Sequence, residues 1–388
     1  MWIDREISSK IINSTKSRPV TLLTGVRQCG KSSLLKKLYP NAEYHTFDNF
    51  LSFEAAKENP ASFLKQFSGQ VILDEVQYLP ELFKELKIRV DQERENYGKW
   101  ILTGSQHFEL MENISETLAG RINIIHLETL SAHELRNKNV ILLKEYLWKG
   151  GYPELWSNKK LEVSSFFESY IKTYIERDLR SIIEVRNLSD FQRFLRTIAT
   201  RAGQLVNYKN IANDVGVSDM TIRSWFHALE VSGIIYLLAP YYANINKRLV
   251  KSPKIYFADH GLLCHLLGVE NSNEWESHIY KGALWENFVF MELIKTNSLV
   301  PGKDIFFYRD QNGVEIDFII EKKGKLTFIE AKANEKIDKN KLNFKKVFPL
   351  FNNIDIEGIV AIRTTNEYTL ELKNFKVFNP LKTLYDFG

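Results

Sequence analysis

Eight residues concentrate the sharpest chemistry in this chain. They run Gly25-Val26-Arg27-Gln28-Cys29-Gly30-Lys31-Ser32, a glycine, four residues, a second glycine, a lysine and a serine. Glycines let such a loop turn so that successive backbone N–H groups point inward at phosphate oxygens. A helix beginning near Lys31 would add the positive end of its dipole. The Lys31 ammonium would reach the outer phosphates of ATP, and the Ser32 hydroxyl suits Mg2+. The expected cradle is Gly25, Val26, Arg27, Gln28, Cys29, Gly30, Lys31, Ser32 and Ser33, with ATP and Mg2+ as its ligands. A glycine-rich turn that binds no nucleotide is the plain alternative.

Further polar residues follow at the ends of apolar runs. In VILDEVQ, Asp74 closes a strand where it could hold Mg2+ through water, and Glu75 could polarise the attacking water as general base. A solvated loop start would look the same in isolation. In ILTGS, Ser105 is placed to sense the terminal phosphate, with Thr103 as its rival. In LAGR, Arg121 is the candidate for a subunit-bridging arginine that stabilises transition-state charge; Arg177 in YIERDL is the runner-up, and a surface salt bridge is the ordinary role of either.

A second constellation lies far downstream. Asp317 sits in GVEIDFII, and Glu330 and Lys332 sit in TFIEAKA. Residues two apart on a strand share a face, so Glu330 and Lys332 point together while Ile329 and Ala331 point away. Asp317 would meet them if the two strands form a hairpin, and Glu286 on the helix GALWENFVFMEL could complete the group. Asp317, Glu330 and Glu286 would then hold Mg2+ and Lys332 would position water, an arrangement for phosphodiester cleavage. A strand-pair salt bridge is the bland explanation. His260 and His265 read as ordinary helix residues.

The elements that must position these groups are visible as patterns. PVTLLTG, QVILDEVQ and KWILTGSQ are short apolar strands alternating with amphipathic helices, as in a parallel sheet covered on both faces. From Glu162 to Leu238 the pattern is mostly helical. NYKNIANDVGVSDMTIRSWFHALEVSGII reads as helix, tight turn at Gly216, helix capped by Ser218, then strand. Thr221, Arg223, Ser224 and His227 would face outward, and Lys247, Arg248, Lys251 and Lys254 would supply a phosphate footprint. A lid packing on the first module or on a neighbouring subunit is the alternative. Strands return after Asp304. The expected domains are residues 1–150, 151–270 and 271–388.

Composition bounds the classes. The chain has 388 residues, 44% of them hydrophobic and 26% charged, so it is long enough for two or three domains and too apolar for wholesale disorder. Its 52 Lys and Arg against 48 Asp and Glu leave a net charge of +4, too small to argue for nucleic acid without a local cluster. Two cysteines exclude a disulfide framework and a four-cysteine zinc site. No run approaches a membrane span, and MWIDREISSK lacks a signal-peptide core, so a cytoplasmic protein with no membrane association is expected.

In serial order GVRQCGKSS, VILDEVQ, ILTGSQ, LAGR, GGYPEL, YIERDL, KSPKIYFADHGLL, GALWENFVF, YRDQNGVEIDFIIE and FIEAKA resemble a prokaryotic group of AAA-type ATPases. The resemblance runs nearly end to end. It implies an α/β P-loop NTPase module, a helical winged-helix middle and a small α/β restriction-endonuclease-like module of the PD-(D/E)xK type. It implies ATP binding at Gly30, Lys31 and Ser32, with Asp74 and Glu75 as the acidic strand end. It places nuclease-type positions on Glu286, Asp317, Glu330 and Lys332. The expected function is Mg2+-dependent ATP hydrolysis by a homo-oligomer acting on DNA, with phosphodiester cleavage by the last module. The rival expectations are an ATP-driven switch whose last module only binds DNA or a protein, and a signalling ATPase with a protein partner and no DNA.

Overall fold

The computed structural model describes residues 2–104, 117–136, 143–175, 188–241, 251–351, 355–363, 370–372 and 375–382. Ser105, Arg177, Lys247 and Arg248 lie outside the described residues. The chain divides into two compact units, Met1–Thr129 with Val231–Gly233, and Leu130–Glu230 with Ile234–Gly388.

The first unit is built on strands β1 (Val20–Thr24), β2 (Glu43–Thr46), β3 (Val71–Asp74), β4 (Trp100–Thr103) and β5 (Ile122–His126), in the order β2-β3-β4-β1-β5. Every pairing is parallel. β1, β3 and β4 are buried along their whole length, which is why they read as unbroken apolar runs. Leu22, Leu73, Leu102 and Trp100 pack in one core with Phe67 and Phe83 from the flanking segments. Parallel pairing has a direct consequence for chemistry: the C-terminal ends of β1, β3 and β4 open at the same end of the sheet. There β1 turns into helix α1 (Lys31–Leu38).

In the second unit, helix α2 (Tyr208–Val215) ends at Gly216, whose φ of 82° is the left-handed conformation that glycine tolerates, and helix α3 (Asp219–Val231) follows. The Ser218 hydroxyl accepts from Thr221 N–H at 3.0 Å. Ile211, Val215, Ile222, Phe226 and Leu229 are buried at the helical spacing seen in the sequence. Trp225 joins them, with Phe191 and Phe194 rings 5.3 and 5.2 Å away. Strands β6 (Ile235–Leu238) and β7 (Lys254–Phe257) then pair antiparallel. Asp259 caps helix α4 (His260–Leu266), accepting from Gly261 and Leu262 N–H; its other oxygen accepts from Gly151 N–H at 2.8 Å and so ties GGYPEL to FADHGLL.

Helix α5 (Lys281–Asn297) is buried almost all round from Leu284 to Ile294, as befits a helix packed on several sides. It faces a six-stranded mixed sheet, β8 (Ile305–Arg309), β9 (Glu315–Lys322), β10 (Lys325–Lys332), β11 (Asp355–Ile362), β12 (Leu370–Leu372) and β13 (Phe375–Phe378), ordered β12-β13-β11-β10-β9-β8. Polar residues on such a helix must find partners. The Asn287 amide takes both main-chain groups of Phe257, accepting from its N–H at 2.6 Å and donating to its carbonyl at 2.9 Å. On the same strand, Ile255 donates to Gln204 O and accepts from Gly203 N–H.

Glu292, also on α5, accepts from the Tyr146 hydroxyl at 2.7 Å and from Ala132 N–H at 3.0 Å. Burial pushes its carboxyl up to about 7, against the pull of Lys295 and these donors. His260 donates to Tyr146 O through Nε2, and burial lowers its imidazole to about 4. The Glu292 contribution has a definite sign. A carboxyl raised on folding stabilises fully below its ordinary value of 4.5 and loses that contribution as pH rises through about 7. Glu292→Gln is expected to flatten the decline in unfolding free energy across that window by on the order of 3 kcal/mol. Urea melts of both proteins at matched pH values check this, and the His260 effect cancels in the comparison.

Candidate functional site

The turn from β1 into α1 is shaped by backbone that ordinary residues resist. Gly25 has φ 148°, and a Cβ there would lie 2.2 Å from the Leu127 carbonyl, so no side chain fits. Gln28 is left-handed at φ 61°, and Gly30 enters the helix at φ 97°. Lys31 folds back over its own loop, donating to Gly25 O at 2.9 Å and Val26 O at 3.0 Å. Arg27 donates to the Tyr78 hydroxyl at 3.1 Å. Cys29 is buried, and burial pushes its thiol up against the pull of Lys31 and Arg5. Ser33 is exposed on α1.

The loop is braced by a residue the sequence pattern does not single out. Arg5 is 8% exposed and donates to Cys29 O at 3.0 Å and to Glu128 O at 2.6 Å.

Asp74 is nearly buried at the end of β3. Its Oδ1 accepts from the Ser32 hydroxyl at 3.0 Å and from the Thr103 hydroxyl, and its Oδ2 accepts from the Tyr44 hydroxyl. Burial, then the Asp74 carboxylate, holds the Tyr44 phenol well above its ordinary range. The set is entirely hard oxygen, which fits Mg2+ held by Ser32 and Asp74. Thr103 thus shares the Asp74 Oδ1 acceptor with Ser32. Glu75 follows at φ 58°, a strained position for a residue with a side chain, and its carboxylate accepts from the Gln77 amide.

Arg121 is placed elsewhere. It precedes β5, and the register of Val20 with Ile122 puts it at the opposite end of the strands from Gly25. Its guanidinium grips Asp91, Nε to Oδ1 at 2.5 Å and Nη2 to Oδ2 at 3.0 Å. From there it cannot reach the phosphate loop of its own chain.

In the second unit β9 and β10 form an antiparallel pair, with Phe318 opposite Ile329. Lys332 Nζ lies 2.8 Å from Glu330 Oε2 and 3.6 Å from Asp317 Oδ2. Asp317 accepts from Ala331 N–H at 2.8 Å, and Glu330 from Asn343 N–H at 2.5 Å. Glu286 reaches the same place from α5. It joins Asp317 and Glu315, and one oxygen of each lies within 4.8 Å of the others. Glu330 stands outside this triplet, across Lys332. Glu315 was missed from sequence although it sits two residues before Asp317 on one face of a strand, the signal that would have found it.

Lys254 was expected among the solvent-facing cations, and that expectation is corrected. Its side chain is 1% exposed, with its ammonium between Glu286 Oε1, at 2.8 Å, and Glu315. Strand β7 is buried against α5, which carries the lysine inward. Tyr256 donates to Glu286 Oε1 at 2.6 Å, and Arg309 donates to Glu315 Oε2 at 2.9 Å. Burial raises the Glu286 and Glu330 carboxyls. Burial alone would lower the lysines, but the surrounding carboxylates outweigh it and keep Lys254 and Lys332 charged above the usual lysine range. Lys251, by contrast, is exposed.

A strand, a glycine loop and a helix bearing lysine and serine, set beside an aspartate at a neighbouring strand end, define a P-loop NTPase. The AAA domain family matches residues 17–136, and the first unit carries an AAA-type ATPase domain. Two domains of unknown function match the rest, DUF8612 over residues 141–273 and DUF4143 over residues 281–384. The uncharacterized proteins Rv2008c of Mycobacterium tuberculosis and Mb2031c of Mycobacterium bovis are each 31% identical over 331 residues, spanning 84% of this chain and 73% of theirs. The chain belongs to the same family as these two proteins. Among solved structures it is similar to a Walker-type ATPase of Pyrococcus abyssi, with 17% identity, 68% of this chain and 96% of that one covered, and a TM-score of 0.45. It is also similar to the RuvB Holliday junction branch migration motor of Thermotoga maritima, with 16% identity, 61% and 90% covered, and a TM-score of 0.32. No helix among the described residues is long and apolar enough to cross a membrane.

The Arg5 brace has a measurable consequence. Arg5→Ala removes two charge-assisted hydrogen bonds from beneath the phosphate loop and is expected to weaken nucleotide affinity about tenfold. Titration with a fluorescent ATP analogue checks this.

Proposed function

We propose that this chain is an Mg2+-dependent ATPase that works as an oligomer on DNA, with a second, carboxylate-based site for phosphodiester cleavage. The observation that carries the first half is the direct hydrogen bond from Ser32, in the phosphate loop, to Asp74 on the neighbouring strand. It joins the nucleotide cradle directly to its acidic partner. Mg2+, when bound by Ser32 and Asp74, would offset phosphate charge. The chain's own groups do the remainder. The backbone amides of Gln28 to Lys31 wrap the phosphates, and Lys31 leaves the carbonyls of Gly25 and Val26 to pair with them. Glu75, held by Gln77, orients water and accepts its proton. Arg121, too distant from its own loop, releases Asp91 to serve the site of an adjacent subunit.

On this reading α2, α3, β6 and β7 form a winged helix. Thr221, Ser224 and His227 lie on α3 away from its buried stripe, and Lys251 supplies exposed charge. Arg223 is committed to Asp219 at 2.8 Å and to the face of Tyr208, so it contributes less to a DNA surface than its position suggests. The last module is restriction-endonuclease-like, with Glu286, Asp317 and Glu330 as the acidic groups and Lys332 as the residue that positions water. The second reading, an ATP-driven switch that binds DNA or protein without cutting, is favoured by one fact: Glu286 and Glu315 are already paired with Lys254.

Lys31→Ala is expected to lower ATP turnover about a hundredfold or more with the fold intact; turnover at the wild-type rate would end the phosphate-loop reading. Asp317→Ala is expected to abolish Mg2+- or Mn2+-dependent cutting of plasmid and single-stranded DNA while ATP turnover persists. Identical cleavage traces for the two proteins would remove the nuclease reading. DNA affinity should fall steeply with salt, and no binding at low salt would favour a protein partner instead.

A further inference from the structure

We infer that Lys254 is a built-in counter-cation that locks the carboxylate site, so that a divalent ion enters only when this lysine is withdrawn. The inference rests on the proposed cation-holding role of Glu286 and Asp317, takes Glu315 rather than Glu330 as their third carboxylate, and adds the residue that governs loading.

Three carboxylates bring one oxygen each within 4.8 Å. Such a cluster needs positive charge at its centre. Lys332 answers only one side of it, through Asp317 at 3.6 Å and Glu330 at 2.8 Å. Between Glu286 and Glu315 the positive charge is the Lys254 ammonium, 2.8 Å from Glu286 Oε1 and paired with Glu315 as well. A divalent ion would use the same carboxylate oxygens at about 2.0–2.6 Å. Ammonium and ion therefore compete for one position, and both together would crowd like charges.

The lysine is installed in a way that surface lysines are not. Its side chain is 1% exposed. Its neighbour Tyr256, two residues along, donates to the same Glu286 oxygen from the same strand face. Strand β7 is fixed in turn by Asn287, the residue following Glu286. Gly203 also approaches closely: a Cβ there would lie 3.3 Å from the Glu286 carboxylate. The lock thus belongs to β7, on the strand pair that follows helix α3. Displacement of that pair would draw the ammonium out and leave three carboxylates facing an open cation position.

The test is nucleotide-free Mn2+ binding, followed by electron paramagnetic resonance and calorimetry, in wild type, Lys254→Met and Lys254→Gln. Methionine keeps the apolar stem; glutamine keeps an amide donor toward Glu286 and guards against a folding defect in the first variant. Each is repeated in a Glu286→Gln background. The expected result is one Mn2+ site per chain in the Lys254 variants, at least tenfold tighter than in wild type, and lost with Glu286→Gln. Equal Mn2+ affinity in wild type and the Lys254 variants, abolished by Glu286→Gln, would overturn the lock and leave the cation reading standing. No Glu286-dependent site in any folded protein would overturn both.

Discussion

Taking a carboxylate out of water is unfavourable unless hydrogen bonds or positive charge meet it inside. Both candidate sites are organised by that constraint. Asp74 is met by three hydroxyls, from Ser32, Thr103 and Tyr44, each supplied by a different element of the first unit. Glu286, Glu315, Asp317 and Glu330 are met by two buried or half-buried lysines, one arginine, a tyrosine and main-chain amides. The first solution is neutral and exchangeable: hydroxyls can rotate from carboxylate to a cation. The second is ionic, and to change state it must move whole charges. A nucleotide site that cycles and a cluster that stays shut until something shifts are the behaviours these two solutions favour.

The supporting fold follows from where those groups must stand. Parallel strands bring the loop after β1, Asp74 and Thr103 to one end of a sheet, and no antiparallel hairpin arrangement would align three strand ends so. The second unit does the reverse. Its carboxylates come from an antiparallel pair, where Asp317 and Glu330 meet across neighbouring strands, and from a helix that contributes Glu286 alone. The helix can do so because Asn287 and Glu292 satisfy their own polar groups within the packing.

What the amino-acid order revealed was whatever chemistry fixes at short range. The spacing from Gly25 to Ser32 encodes its own geometry, the apolar runs of β1, β3 and β4 encode burial on both faces, and Ile211 through Leu229 encode two helices by period alone. Lys332 beside Glu330 follows from strand alternation. Long-range partners were illegible. Lys254 looked like one cation in a basic stretch, and only the packing of β7 against α5 turns it inward. Arg5 meets Cys29 and Glu128 at great sequence separation, and Tyr44 meets Asp74 across a strand pair; neither leaves a periodic signal. Nor does any composition shift announce that residues 130–230 and 234–388 gather into one compact unit, in which the Asn287 side chain of α5 hydrogen-bonds the main chain of β7.

The grip of Asn287 on Phe257 has one more effect. Along the side of β7 that faces away from β6, Ile255 is taken by Gly203 and Gln204, and Phe257 by the Asn287 amide. A two-stranded ribbon normally offers a free margin on which a foreign strand can template itself. Here that margin is sealed by a loop and a single helical side chain, so the β7 edge of this small ribbon offers no template to a foreign strand.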